Sequence, residues 1–396
     1  MPFAKRVSRL MPSLTLAIDA KAKALKKAGQ PVISFGAGEP DFDTPQHIQE
    51  AAIKAMHDGM TRYTPAAGLL ELRQAVADKY TGQYKLPVTA KNVVISCGAK
   101  HALYNLFQVL VDDGDEVLIP APYWVSYPDM VRLAGGVPVI VPTTEKSGFC
   151  VTAELLDEFV TPRTKLLVLN SPSNPTGAAY DRRALSGLAH FVLKHNLLAI
   201  SDEIYEHLLY DGFEFTCFAA ISEELKNNVV VVSGVSKTYA MTGWRIGWTV
   251  GPEKVMDMLA NLQSQSTSNP TSFAQSGAMA ALQGPQDCVK QLCEAFAQRR
   301  RYMLDRLARI PRISCFPPQG AFYAFPRVDA YYGKKDGDKT IAGSLTLSEH
   351  LLEKVLVAVV PGIGFGLDAN IRLSYATSMA QIEEGLNRIE KALIAL

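Results

Sequence analysis

A lysine that is to form an imine with an aldehyde must sit in a pocket, where desolvation or nearby cations lower its pKa. Lys237 stands in Ser236-Lys237-Thr238, just after four consecutive valines, Val229 to Val232, that read as a strand ending at Ser233-Gly234. Taken alone, a lysine at a strand end is ordinary surface charge. Eight residues on, Arg245 lies between Trp244 and Ile246. A guanidinium so placed can hold a phosphate through two parallel hydrogen bonds. Asp202 follows the apolar run Leu198 to Ile200, and Tyr205 comes three residues later. Alone, such a carboxylate more often caps a helix. Beside a pyridine ring it would keep the ring nitrogen protonated and make the ring an electron sink. The phenol of Tyr205 and the side-chain amide of Asn174 are suited to hydrogen-bond a ring hydroxyl oxygen. Asn174 lies in Asn174-Pro175-Thr176-Gly177, which is also a turn by composition.

Other residues complete the set. Gly98-Ala99-Lys100 falls between a strand-like run and a helical one, where backbone N–H groups can receive an anion. It is neither GxGxxG nor a P-loop, so dinucleotide and ATP readings are unsupported. Trp124, in Pro122-Tyr123-Trp124, is either a core residue or a flat surface for a flat ring. Arg372 is flanked by Ile371 and Leu373 on a predicted strand and so is partly buried. A buried arginine needs an anion, either an internal carboxylate or that of a substrate.

The elements that must carry these residues alternate along the chain. Short apolar runs at residues 93–96, 117–119, 137–141, 166–169, 198–200, 229–232 and 246–250 are separated by helical stretches such as 100–111 and 185–193. This pattern predicts crossover units and a mostly parallel sheet, which binds ligands beyond the carboxyl ends of its strands. Gly98, Asn170 to Gly177, Asp202 to Tyr205 and Ser233 to Lys237 all fall at such ends. Residues 14–28 read as a helix stopped by Gly29, residues 298–307 as a basic helix, 331–340 as an exposed loop and 380–396 as a helix.

Composition narrows the class. The chain has 396 residues, 48% hydrophobic and 20% charged, with a formal charge of +1. That is a globular composition, and it gives no polyanion-binding surface, so nucleic acid is not an expected partner. No run approaches the roughly 18 apolar residues of a membrane helix. The six cysteines show neither CxxC nor zinc spacing, which predicts free thiols in a reducing compartment and no metal site. The first sixteen residues read as the start of a mature cytoplasmic protein.

Together these residues resemble the pyridoxal-phosphate-dependent class I/II aminotransferases of fold type I, in the bacterial branch that holds aspartate and prephenate aminotransferases. The resemblance runs through residues 37–45 (AGEPDFDTP), 63–68 (YTPAAG), 122–128 (PYWVSYP), 170–177 (NSPSNPTG), 201–205 (SDEIY), 236–245 (SKTYAMTGWR) and 371–376 (IRLSYA). Each run is modest alone; their order and spacing are specific. The fold implied is α/β: a large domain, residues 36–284, with a mostly parallel seven-stranded sheet between helices, and a smaller α+β domain from residues 1–35 and 285–396.

The cofactor implied is pyridoxal 5′-phosphate. The resemblance implies that Lys237 binds its aldehyde and shuttles the substrate proton, that Asp202 pairs with the ring nitrogen, and that Tyr205 and Asn174 hold the phenolic oxygen. Trp124 stacks on the ring and also borders the substrate. Arg245, Ser236 and the backbone at Gly98, Ala99 and Lys100 take the phosphate. Tyr63 reaches the phosphate of a second subunit, so a homodimer is implied. Arg372, Asn174 and the Gly38 backbone hold the substrate α-carboxylate. Lys100 meets a distal carboxylate, with Ser13 and Thr15 nearby. Gly234 departs from the pattern, since many relatives carry a phosphate-binding serine there. Met11 stands before Pro12-Ser13, where prephenate-using relatives often carry lysine.

The activity expected is transamination between L-aspartate and 2-oxoglutarate, giving oxaloacetate and L-glutamate. Alternatives are a prephenate, aromatic or alanine aminotransferase, a β-lyase on the same fold, and a cofactor-sensing regulator module. The last would need a DNA-binding domain, and no basic helix-turn-helix segment is present.

Overall fold

The computed structural model describes residues 4–8, 10 and 14–396, the side chains of residues 14–17 and 19 excepted. Ser13 and the Thr15 side chain therefore lie outside what is described.

Seven strands form the central sheet: β1 (Val93–Ser96), β2 (Glu116–Ala121), β3 (Val137–Pro142), β4 (Thr164–Asn170), β5 (Leu198–Asp202), β6 (Val229–Gly234) and β7 (Gly247–Val250). Their spatial order is β1-β7-β6-β5-β4-β2-β3. Neighbours from β6 across to β3 pair in parallel, and β7 runs antiparallel to both β1 and β6. Only β7 is reversed, so its first residue lies at the same edge as the last residues of β1, β4, β5 and β6. Arg245, two residues before β7, thereby joins Gly98, Asn170, Asp202 and Gly234 at one rim. The valines of β6 are wholly buried, because helices cover both faces of a parallel sheet.

The helices that matter here are α1 (Leu14–Lys27), α2 (Leu70–Tyr84), α3 (Ala99–Leu110), α4 (Asp287–Leu307), α5 (Ser344–Val355) and α6 (Met379–Ile394). Both faces of the sheet carry large apolar clusters, one including Tyr80, Leu118, Val231 and Trp248, the other Phe107, Val117, Ile200 and Val232. A separate cluster gathers Phe296, Phe322, Leu351, Leu373 and Leu386 with Ile33 and Phe35 near the start of the chain, and also takes in Tyr205 and Leu208. It packs around three strands, β8 (Tyr323–Ala324), β9 (Val360–Pro361) and β10 (Ile371–Ser374), in the antiparallel order β9-β10-β8.

Residues 331–340 differ from the expected loop. A 3-10 turn, Asp329–Tyr331, leads into a small hairpin in which Lys335–Asp336 pairs with Lys339–Thr340. The polar composition hid it because its supports are distant: Lys354 reaches Asp336 at 2.8 Å, and Glu353 takes Lys339 at 2.9 Å. All six cysteines are free. No helix among the described residues is long and apolar enough to cross a membrane, and none of their acidic, His and Cys side chains cluster as a metal site would require.

Candidate active site

The rim holds Lys237 above the end of β6. Its Nζ donates to the Gly38 carbonyl and lies 5.9 Å from the centre of the Phe322 ring. Part of the side chain still meets solvent, yet burial pushes the amine down to about 8; Arg372 and Arg245 add to this, while Glu39 and Asp202 oppose it. This is the environment required of an amine that must be neutral to attack.

Asp202, only 4% exposed, is fully withdrawn at the end of β5. Its Oδ2 accepts from the Tyr127 hydroxyl at 2.6 Å, and its Oδ1 takes only the backbone N–H of Ile204 at 3.3 Å. Burial raises this carboxyl to about 6. The helix-cap role weighed from sequence is not realised, because no helix follows: the carboxylate lies in the core without a cation in ion-pair contact among the described residues.

Arg372 is 6% exposed on β10. Its Nη1 donates to Asn174 Oδ1 and its Nη2 to the Gly36 carbonyl, each at 2.9 Å. Its Nε is buried with no acceptor. The guanidinium lies 4.5 Å from the centre of the Tyr323 ring and 5.1 Å from that of Phe365. No carboxylate among the described residues pairs with it, so the internal-carboxylate alternative falls. Asn174 spends its carbonyl oxygen on Arg372, which leaves its NH₂ as the free donor. Tyr205 shares a 2.9 Å hydrogen bond with Tyr323, and burial raises its phenol well above the usual range.

The anion cradle is built by backbone. Gly98 has φ +86° and begins the approach to α3, whose first amides belong to Ala99 and Lys100. A Cβ at Gly98 would meet Arg245 Nη2 at 2.5 Å, so only glycine lets the guanidinium lie against the helix start. Arg245 itself sits at φ +56° and donates to the Thr242 carbonyl at 2.8 Å. Ser236 is buried beside Lys237. Gly234 is fixed by packing: a Cβ there would come within 2.8 Å of Gly247 Cα. A serine at this position would have no room here. Lys100 extends over Trp124, Nζ 4.8 Å from the ring centre, and burial with Arg245 lowers its pKa. His101 accepts from the Cys97 N–H at 3.3 Å.

Tyr63 does not join this group. It is 91% exposed. Conversely, Tyr127, Tyr323 and the Gly36 carbonyl are contacts that sequence reasoning left unassigned. Tyr127 lay within a quoted run, but its pairing with a residue 75 positions away has no local signal.

The chain belongs to the class I and II aminotransferases: the model of that family matches residues 30–389. Enzymes of the family depend on pyridoxal 5′-phosphate. Among curated relatives, it is 50% identical to an aspartate aminotransferase of Geobacillus stearothermophilus, with all of both chains covered. It is 48% identical to a probable aspartate/prephenate aminotransferase of Aquifex aeolicus, over 98% of each. The crystal structure of the aspartate aminotransferase from Rhizobium meliloti superposes with a TM-score of 0.96 at 43% identity, covering 100% of this chain and 99% of that one. That of the Thermus thermophilus aspartate aminotransferase with maleate gives 0.93 at 41%, covering 99% and 100%.

The residues present fit the cofactor. A depressed amine suits its aldehyde, a buried carboxylate lacking a cation suits its ring nitrogen, and the Gly98 cradle with Arg245 suits its phosphate.

Proposed function

We propose that the protein transfers the amino group of L-aspartate to 2-oxoglutarate, giving oxaloacetate and L-glutamate. The observation that carries this is Arg372, a buried guanidinium with an unsatisfied Nε and no internal carboxylate. An amino-acid carboxylate supplies the missing acceptor. Lys100, poised over Trp124, supplies a cation for a second carboxylate. The Thermus relative's maleate is itself a four-carbon dicarboxylate, which agrees with a site for two carboxylates.

Bound here, pyridoxal phosphate supplies an aldehyde that takes up an amine and a ring that accepts the electrons of a breaking Cα–H bond. Asp202 would hold the ring nitrogen's proton, with Tyr127 fixing the carboxylate. Tyr205 and the free NH₂ of Asn174 would donate to the phenolic oxygen. Arg245, Ser236 and the amides of Ala99 and Lys100 would bind the phosphate, beside Gly98. Trp124 would cover the ring. Lys237 Nζ takes the proton from the substrate Cα, because the same burial that lowers its pKa keeps a neutral base available near pH 8. Arg372 and the Gly38 backbone orient the donor, so that the Cα–H bond faces that base.

We further infer a large unit of residues 36–284 and a small one of 1–35 with 285–396. The shared cluster of Phe35, Phe296, Leu373 and Leu386 supports it. The exposure of Tyr63 and Leu70 supports a homodimer in which Tyr63 serves the partner's site. Six free thiols support a cytoplasmic location. A second reading, prephenate as amino acceptor, is supported by the Aquifex relative's name.

The test is one half-reaction. The yellow protein is mixed with excess L-aspartate and no oxo acid, and the visible spectrum is followed. Loss of the yellow band with release of oxaloacetate is expected. No change with L-aspartate, but change with L-glutamate or an aromatic donor, would overturn the donor assignment. Prephenate offered to the aminated protein then tests the second acceptor.

A further inference from the structure

Beneath the active-site rim lies a polar cluster that the reaction as described does not use. Glu206 is buried, its side chain 1% exposed, and it collects donors from separate elements. Ser233 of β6 donates to its Oε1 at 2.7 Å, Lys79 of α2 donates to the same oxygen at 2.7 Å, and the Tyr84 hydroxyl of α2 donates to Oε2. We propose that Glu206 is a positioning residue: through Ser233 it clamps the turn after β5 to the end of β6, and so sets Lys237 against Asp202. This rests on the functional reading above.

The argument is one of where the ladder stops. β5 and β6 pair as far as Asp202 opposite Val232, and one further bond runs from the Glu203 N–H to the Val232 carbonyl at 2.8 Å. Ser233 is the next residue of β6, and Lys237 follows four positions later. Past this point no backbone ladder joins the two segments that carry Asp202 and Lys237. The Ser233 hydroxyl stands in its place, chiefly through Glu206 at 2.7 Å, with the Glu203 carbonyl farther off at 3.4 Å. Packing alone does not call for a carboxylate here, since apolar side chains of similar volume replace buried ion pairs at no cost in many proteins. The neighbouring acid behaves differently. Glu203, held by Ser201 at 2.8 Å and the Phe218 N–H at 3.0 Å, keeps its Oε2 unpartnered and is raised by burial to about 8. Burial opposes it, yet Glu206 is held ionised at about 2, chiefly by Lys79, with His207 and the Tyr84 hydroxyl adding to it. Glu206 and Lys79 therefore cancel beneath the site, and Glu203 is neutral. Asp202 is left as the carboxylate at the end of β5 that would meet the ring nitrogen.

The test compares Ser233→Ala, which removes the bridge, with Tyr84→Phe, which removes an outer donor and leaves the bridge. For each holoprotein we would measure kcat and KM with L-aspartate, the pH midpoint of the visible absorbance change without any donor, and the Tm. Ser233→Ala is expected to lower kcat about 10- to 100-fold, as a displacement of roughly 1 Å would, with KM little changed and the absorbance midpoint moved. Tyr84→Phe is expected to lower Tm only. Should Ser233→Ala not fold, Ser233→Gly, which likewise lacks the hydroxyl that reaches Glu206, must show the same kcat loss and midpoint shift. Wild-type kcat and midpoint in the bridge variants, or equal shifts in Tyr84→Phe, would overturn the proposal. The donor-free midpoint needs no substrate, so failure of L-aspartate as donor would leave this test intact.

Discussion

Charge and burial at single residues decide what the site does. Lys237→Ala should abolish turnover and the yellow colour together, measured by a coupled oxaloacetate assay and the visible spectrum. Arg372→Leu should lower kcat/KM for every amino donor alike, by roughly 2–5 kcal/mol, because a carboxylate would be left buried without its cation. A loss confined to one donor would mean that Arg372 reads the side chain. Lys100→Ala should instead cost dicarboxylic donors far more than alanine. Asp202 offers a pH test on the cofactor-free protein. Its folded pKa, about 6, lies above the roughly 3.9 of an unfolded aspartate, so the folded state binds the proton more tightly. Stability from this group is full below about pH 4 and is lost as pH rises through about 6. Asp202→Asn should therefore stabilise the cofactor-free protein at pH 7.5, by on the order of 2 kcal/mol, and not at pH 4. Thermal melts at the two pH values check this.

The elements impose their own constraints where backbone approaches backbone. Gly98 and Gly234 both serve the rim, for different reasons. Gly98 has a positive φ and yields its Cβ space to Arg245; Gly234 lies against Gly247 across the β6–β7 pair. Gly234→Ser should thus destabilise the protein by about 1–3 kcal/mol through overpacking and should not tighten cofactor binding, in spite of the new hydroxyl. Chemical denaturation and a cofactor titration check the two halves. The reversed strand β7 has its own consequence. It starts at the edge where its neighbours end, and so brings Arg245 to α3 without a crossover helix.

For the whole molecule, assembly is the decisive question. Tyr63 and Leu70 stay exposed on the single chain, at 91% and 61%. The expected solution mass is twice that of the chain. If Tyr63 completes the partner's site, Lys237→Ala and Tyr63→Ala subunits should each be impaired alone, yet mixed dimers should regain activity. One site in each hybrid then has both Lys237 and Tyr63 intact. Reassociation of the two variants after partial unfolding, followed by an activity assay, checks it; no regain would place Tyr63 outside the partner's site.

The sequence by itself determined the class and most of the reactive groups. Strand runs ending in polar residues are local, so the parallel sheet and the rim carrying Asn174, Asp202 and Lys237 were legible from spacing. The resemblance carried the family, which the matched residues bear out. Contacts between distant segments were not legible. Asp202 with Tyr127, Arg372 with Asn174, Tyr205 with Tyr323, and Glu206 with Ser233 join residues 75, 198, 118 and 27 positions apart, and no periodicity encodes them. Nor could residue type say whether Arg372 had an internal carboxylate or none, or why Gly234 carries no side chain. Those answers depend on which strands become neighbours. Tertiary packing alone sets the low-dielectric surroundings that move the pKa of Lys237 and of Asp202 toward neutrality from opposite sides.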